Sequence, residues 1–251
     1  MRNSVLLATC LCVAAAVAGC STIHGKESLV KSDAVATGFI NKTMKIDGKE
    51  RRYVVYVPNN YTPKKQWPLV LFLHGSGERG DDGLLQTDVG IAHAIRKNPK
   101  WFPCIVVMPQ CPNDVWWDKA IADFETALGS AEKEYNIDPE RVYMTGLSMG
   151  GFGTWMYGAM HPERFAALMP LCGGGKPEDG PALAKTPIWA FHGDQDKAVP
   201  VAKSREMVEA VKKAGGEIKY TEYPKVEHNC WDATYGDQDA IKWLLKQRKA
   251  R

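Results

Sequence analysis

Ser148 lies in Gly146-Leu147-Ser148-Met149-Gly150, a Gly-x-Ser-x-Gly pentapeptide. A strand-like run, residues 141–144, precedes it, and a helix-like run, 152–160, follows. At a strand-to-helix turn this pattern forms a nucleophile elbow, so tight that the positions two before and two after the serine must lack side chains. The turn lifts the hydroxyl clear of the sheet and aims the next backbone N–H, that of Met149, at an incoming carbonyl. Serine is a weak nucleophile at neutral pH and needs a base to take its proton. Imidazole does this, and a carboxylate fixes its tautomer and steadies the imidazolium. Both groups arrive later in the chain. His192-Gly193-Asp194-Gln195-Asp196 follows the apolar run 188–191, and His228 follows the run 218–223. Serine, aspartate and histidine each come after a strand, which puts them at one edge of a parallel sheet, where the sites of open α/β sheets lie.

Two aspartates, Asp194 and Asp196, compete for the acid's role. The other is expected to be a turn residue bonded to backbone N–H groups. Of the six histidines, His24 lies in a polar stretch, His93 on a helix and His161 at a helix end. His74 and His192 sit in His-Gly dipeptides just past strands and are expected to brace their loops. His228 has the chain position of the base. A developing oxyanion needs at least two N–H donors. Met149 supplies one; the other is expected from the loop His74-Gly75-Ser76-Gly77, from Ser76 with Gly77 as the alternative. That loop lacks the Lys-Ser/Thr of a phosphate-binding loop, and Glu78, Asp81 and Asp82 would repel phosphate. No Cys/His spacing resembles a zinc site. No cofactor and no metal is called for.

The elements that must position these groups alternate. Residues 38–46 and 52–57 read as an antiparallel pair turned by Asp47-Gly48. Continuous apolar runs at 68–73, 104–108, 142–145, 167–171 and 188–191 read as buried strands. Between them, 91–97 is a short helix. Residues 118–135 carry Ile121, Phe124, Leu128, Ala131 and Tyr135 at three- and four-residue steps, an amphipathic helix. A helix at 201–214, a strand at 218–223 and a helix at 239–247 complete the pattern. The implied fold class is α/β: a mostly parallel central sheet with helices on both faces. Pro187 follows Cys172 by only 15 positions, so little or no lid is expected and the cleft should be open.

Composition bounds the rest. At 251 residues, 45% hydrophobic and 24% charged, the chain suits one α/β domain. Net charge is +3 without a concentrated basic stripe, which argues against a nucleic-acid partner. Lys242, Lys246, Arg248, Lys249 and Arg251 read as the cationic end of a last helix. Residues 1–19 have the positive start, apolar middle and small-residue end of a signal peptide. Val17-Ala18-Gly19-Cys20 resembles a bacterial lipobox, which implies lipidation of Cys20, a tether over 20–37 and a folded domain over 38–251. The expected location is the bacterial cell envelope, with membrane attachment through the lipid. Ser21 in place of Asp leans towards the outer membrane. Cys104 and Cys111 flank an extended run of about 23 Å, too far for a disulfide. Cys172 with Cys230 stays open, as do four buried free thiols.

The stretches 71–80, 146–155 and 192–200 resemble secreted bacterial α/β-hydrolases of the group often labelled "predicted peptidase" or phospholipase/carboxylesterase. That group is related to feruloyl and acetylxylan esterases and to polyhydroxybutyrate-depolymerase-like esterases. Val107-Met108-Pro109-Gln110-Cys111-Pro112 and His228-Asn229-Cys230-Trp231-Asp232 fit it too. The resemblance implies an α/β-hydrolase fold and carboxylester hydrolysis through an acyl-enzyme on Ser148. The order Ser, Asp, His is that of the fold. Its usual His-Gly-x-x-Asp-x-x-Val-Pro pattern picks Asp196 as the acid, with Val199-Pro200 after it. A prolyl-oligopeptidase-like peptidase and a non-catalytic binding lipoprotein are the alternatives, weakened by the absent propeller and by the complete Ser, Asp, His set. Trp116, Trp117 and Trp231 are candidates to line the cleft and stack on a sugar or hydroxycinnamoyl ring, such as those of acylated extracellular polysaccharides.

Overall fold

The computed structural model describes residues 35–249. The expected signal peptide, Cys20 and nearly all of the expected tether lie outside the described residues. The chain enters through β1 (Gly38–Ile46) and β2 (Lys49–Val57), an antiparallel pair. Asp47 and Gly48 join them at φ 48° and 77°, the doubly positive turn whose twist matches paired strands. There follow β3 (Trp67–Leu73), α1 (Ile91–Lys97), β4 (Ile105–Pro109), α2 (Ile121–Glu134) and β5 (Ile137–Leu147). Next come α3 (Met149–Met160), β6 (Ala167–Leu171), α4 (Gly180–Leu183), β7 (Ile188–Gly193) and α5 (Ala202–Lys213). The last elements are β8 (Ile218–Tyr223), α6 (Cys230–Tyr235) and α7 (Gln238–Lys246).

The eight strands form one sheet in the order β1-β2-β4-β3-β5-β6-β7-β8. β2 runs antiparallel to β4, and β3 to β8 are parallel throughout. This is the α/β architecture expected from the alternation of elements. β3, β4 and β6 are buried along their whole length, which is why they read as unbroken apolar runs. Side chains alternate across the sheet and feed two cores. Leu69, Leu71 and Leu73 pack on the side of Phe124, Leu128 and Trp155 from α2 and α3. Val70 and Phe72 pack on the side of Ile91, Ile95, Ile241 and Leu244 from α1 and α7.

Some boundaries differ from the sequence reading. β5 starts at Ile137 because Ile137 pairs with Trp67 before the register shifts to Leu69–Val142. α2 starts at Ile121, since Trp116 O and Trp117 O accept from Lys119 N and Ala120 N in turns that precede it. α4 and α6, of four and six residues, are too short to carry a helical period. Between β6 and β7, residues 172–187 hold only a single 3-10 turn and α4, so no lid is inserted there. Cys104, Cys111, Cys172 and Cys230 are buried free thiols, the second of the two alternatives.

His74 ties the strand ends together. Its Nε2 accepts from Cys111 N at 2.9 Å, and its Nδ1 lies 2.6 Å from Gly75 O. Burial pushes its imidazole down to about 4. Unfolded, the ring takes up a proton near 6.5. Between those values the unfolded chain binds more protons, so stability falls as the pH drops from 6.5 to about 4 and then levels. The loss from this residue is about 3 kcal/mol. Urea midpoints of wild type should fall over that range, and those of His74→Gln should fall less. The residual slope belongs partly to His192, also lowered by burial. Equal slopes in both proteins would contradict this account.

Candidate active site

Ser148 sits between β5 and α3, as the residue that caps α3, with φ 53° and ψ −117°. A non-glycine residue held there carries strain of order 1–3 kcal/mol. Its N–H is held by Leu171 O at 3.0 Å and lies 3.3 Å from Cys172 Sγ. The flanking glycines follow from contact. A Cβ on Gly150 would lie 1.9 Å from Leu73 O, and one on Gly146 would lie 2.4 Å from Gly150 O. α3 therefore starts against the backbone of β3, and no side chain fits between them.

The elbow aims Ser148 Oγ at His228, whose Nε2 is 2.9 Å away. His228 Nδ1 lies 2.6 Å from Asp196 Oδ2. The Asp196 side chain has no exposed surface. Its Oδ1 accepts from the N–H groups of Ala198 at 2.9 Å and Val199 at 2.8 Å. Asp194 faces elsewhere, and its Oδ1 accepts from Lys225 N at 2.7 Å. His228 thus meets Asp196 and not Asp194. His192 occupies the end of β7, and its Nε2 lies 3.1 Å from Asp196 Oδ2. Sequence reading made it a loop brace; its contact with the acid was not foreseen, because the two meet only through the turn after β7.

Backbone from two elements meets beside the serine. The first α3 N–H with a helical acceptor is that of Phe152, bonded to Ser148 O at 3.0 Å. The N–H of Met149, in the first turn, has no acceptor within its helix and points from the positive end of the helix dipole. The loop after β3 passes close by: a Cβ on Gly75 would lie 3.5 Å from Ser148 Cβ. Ser76 follows, opening a 3-10 turn over Ser76–Glu78. Ser148, His228 and Asp196 form one hydrogen-bonded chain, with the first turn of α3 and the loop after β3 beside Ser148. Among the described residues no His, Cys, Asp and Glu group is arranged to hold a metal ion.

The three tryptophans have different surroundings. Trp116 is 50% exposed and meets Phe152 edge-on, ring centroids 6.1 Å apart. Trp117 is 1% exposed, and its Nε1 donates to His74 O at 3.0 Å. Trp117 lines the cavity beside Met149 with almost no exposed surface: its ring packs edge-on against His74 and Phe124 and braces the loop from behind. Trp231 packs edge-on against His228 at 5.3 Å. Beside Met149 opens a cavity of about 870 Å³, lined by Trp116, Phe152, Met156, Met160 and Gly175. Phe152, Met156 and Met160 were missed as site residues. Their four-residue spacing along α3 places them on one face, which is the signal that finds them.

Replacement of Gly150 by alanine should destabilise the fold by at least about 3 kcal/mol, because the new methyl meets backbone that cannot yield. Urea unfolding measures this, and an unchanged midpoint would refute the close-approach argument.

A model of the dienelactone hydrolase family matches residues 53–240. A bifunctional acetylxylan esterase/xylanase of Neocallimastix patriciarum is 30% identical over 174 residues, 62% of this chain and 23% of the relative. The chain thus spans about a quarter of that relative's length. A thermostable esterase of known structure superposes with a TM-score of 0.78 at 38% identity, covering 84% of this chain and 63% of that one. The feruloyl esterase module from Clostridium thermocellum, solved with sinapinate, shares the fold with a TM-score of 0.68 at 20% identity over 85% of this chain and 89% of that one. The matched span runs from β2 into α7 and holds every residue of the elbow, the acid turn and the base loop, so the chain belongs to the dienelactone hydrolase family of α/β-hydrolases.

Proposed function

We propose that the protein is a serine carboxylesterase. The observation that carries this reading is the unbroken hydrogen-bonded chain from Ser148 Oγ through His228 to the buried Asp196 carboxylate. His228 Nε2 takes the Ser148 proton as Oγ attacks the ester carbonyl. The N–H groups of Met149 and Ser76 bind the oxyanion. His228 then gives the proton to the departing alcohol, leaving Ser148 acylated. Water, deprotonated by the same imidazole, attacks the acyl-enzyme and regenerates the serine. Asp196 accepts from Nδ1 throughout and keeps Nε2 free to act as the base.

The cavity beside Met149 favours an aromatic acyl group. Trp116 and Phe152 present ring faces and edges, and Met156 and Met160 adapt to shape. By their names, the feruloyl esterase among the similar proteins acts on an aromatic acyl ester and the acetylxylan esterase on an acetyl ester of a carbohydrate. The substrate class is accordingly acyl esters of carbohydrates, of feruloyl or acetyl type. Attachment to the cell envelope through lipidated Cys20 is supported by the lipobox residues alone.

Wild type should hydrolyse p-nitrophenyl acetate and methyl ferulate, and Ser148→Ala should reduce turnover by at least about 10⁴-fold with its thermal midpoint near wild type. Trp116→Ala should raise KM for methyl ferulate and leave that for the acetate ester nearly unchanged. Retained turnover in Ser148→Ala overturns the mechanism, and equal changes for both esters overturn the aromatic pocket. Expression in bacteria with labelled palmitate should label the protein, and Cys20→Ala should abolish the label. Equal labelling would remove the anchor.

A further inference from the structure

The chain of hydrogen bonds continues past the acid. His192 Nε2 lies 3.1 Å from Asp196 Oδ2 and 3.0 Å from Val199 O. Neither oxygen can donate, so this nitrogen carries a hydrogen and shares it between them. On the far side of the ring, His192 Nδ1 lies 2.7 Å from Ser204 Oγ, on α5. That hydroxyl also lies 3.1 Å from Gly173 O. His192 and Asp196 side chains have no exposed surface, and Ser204 is 1% exposed. Burial holds the His192 imidazole below its ordinary pKa, so the ring is neutral. With the hydrogen on Nε2, Nδ1 must accept, and the single hydrogen of the Ser204 hydroxyl is shared between Nδ1 and Gly173 O.

We propose that His192 and Ser204 are a positioning pair that aligns the Asp196 carboxylate for His228, extending the hydrogen-bonded chain from Ser148 to α5. The proposal rests on the reading of Ser148, His228 and Asp196 as nucleophile, base and acid. Two backbone N–H groups fix Asp196 Oδ1. Oδ2, the oxygen that meets His228, has His192 as its second donor. Asp196 Oδ2 and Val199 O select the tautomer, since neither can donate, and Ser204 matters because it holds the far edge of the ring. A ring with its hydrogen on Nδ1 would turn a lone pair towards a carboxylate and repel it. The neutral ring contributes a hydrogen bond without a counter-charge, so the negative charge on Asp196 is left for the imidazolium that forms at His228.

The full chain with His192→Leu, His192→Gln and Ser204→Ala tests the pair. Each protein is assayed for kcat and KM on p-nitrophenyl acetate, for thermal midpoint, and by proton NMR for the far-downfield resonance of the His228–Asp196 hydrogen bond. His192→Leu removes the donor at similar volume and should lower kcat roughly 10- to 100-fold. KM should stay within about twofold, since the interaction serves the transition state. His192→Gln, whose amide nitrogen reaches towards the place of Nε2, should recover most of the loss. Ser204→Ala should fall between them, and the downfield resonance should move in the order of the kcat losses. Turnover of His192→Leu near wild type with an unmoved resonance overturns the proposal. So do Leu and Gln variants slowed equally, in proportion to their thermal midpoints. Should His192→Leu fail to fold, an unchanged kcat and resonance in Ser204→Ala overturn it instead. A wild type without esterase activity defeats the underlying reading, and the resonance then decides the positioning claim on its own.

Discussion

The contact of Gly150 with the carbonyl of Leu73 is the constraint on which the site depends. It brings the first turn of α3 onto the last residue of β3 with no side chain between them. One approach sets two things together. It fixes where Ser148 leaves the sheet, and it fixes the loop His74-Gly75-Ser76 relative to that serine. The pairing of β3 with β5 from Leu69–Val142 to Leu73–Gly146 delivers both strand ends at the same height. His74 then locks the loop by bonding Cys111 N, and Trp117 locks it from behind through His74 O. The strain at Ser148 is held by this packing and by Leu171 O on its N–H.

A second constraint is the buried charge. A carboxylate removed from water costs several kcal/mol unless donors replace the water. Asp196 meets that demand with two backbone N–H groups and two histidines. The turn after β7 supplies the backbone donors, β7 itself supplies His192, and the loop after β8 supplies His228. Asp196 and His228 are therefore placed by β7, the turn after it and the loop after β8. Trp231 adds a ring against His228. The face beside Met149 is less enclosed. Its cavity lies between α3, the Trp116 turn and the short β6–β7 connection, and its wall includes a half-exposed tryptophan.

Much of this was legible in the chain. The elbow's glycines, the aspartate with Val199-Pro200 after it and the histidine past the last strand are local patterns, each with a local reason. The continuous apolar runs announced strands buried on both faces, and their alternation with amphipathic stretches announced a parallel sheet. What stayed illegible was short or lateral. α4 and α6 have too few residues for a period, and the stretch before α2 turns where an extrapolated helix would run. Trp116 and Trp117 are adjacent and identical in type, yet one lies half in solvent while the other supports His74.

The sequence by itself determined the fold class, the order of the strands along the chain and the residue types able to perform nucleophilic attack at a carbonyl, because these depend on periodicity and on turns of a few residues. Only the tertiary structure decided which of the adjacent tryptophans is exposed and that His192 and Ser204 stand behind Asp196. The reason is distance along the chain. Ser148 and His228 are 80 positions apart and His228 and Asp196 are 32 apart. Contacts of that separation are set by which strands lie side by side and by what fills the space between them, and neither is written in any local pattern.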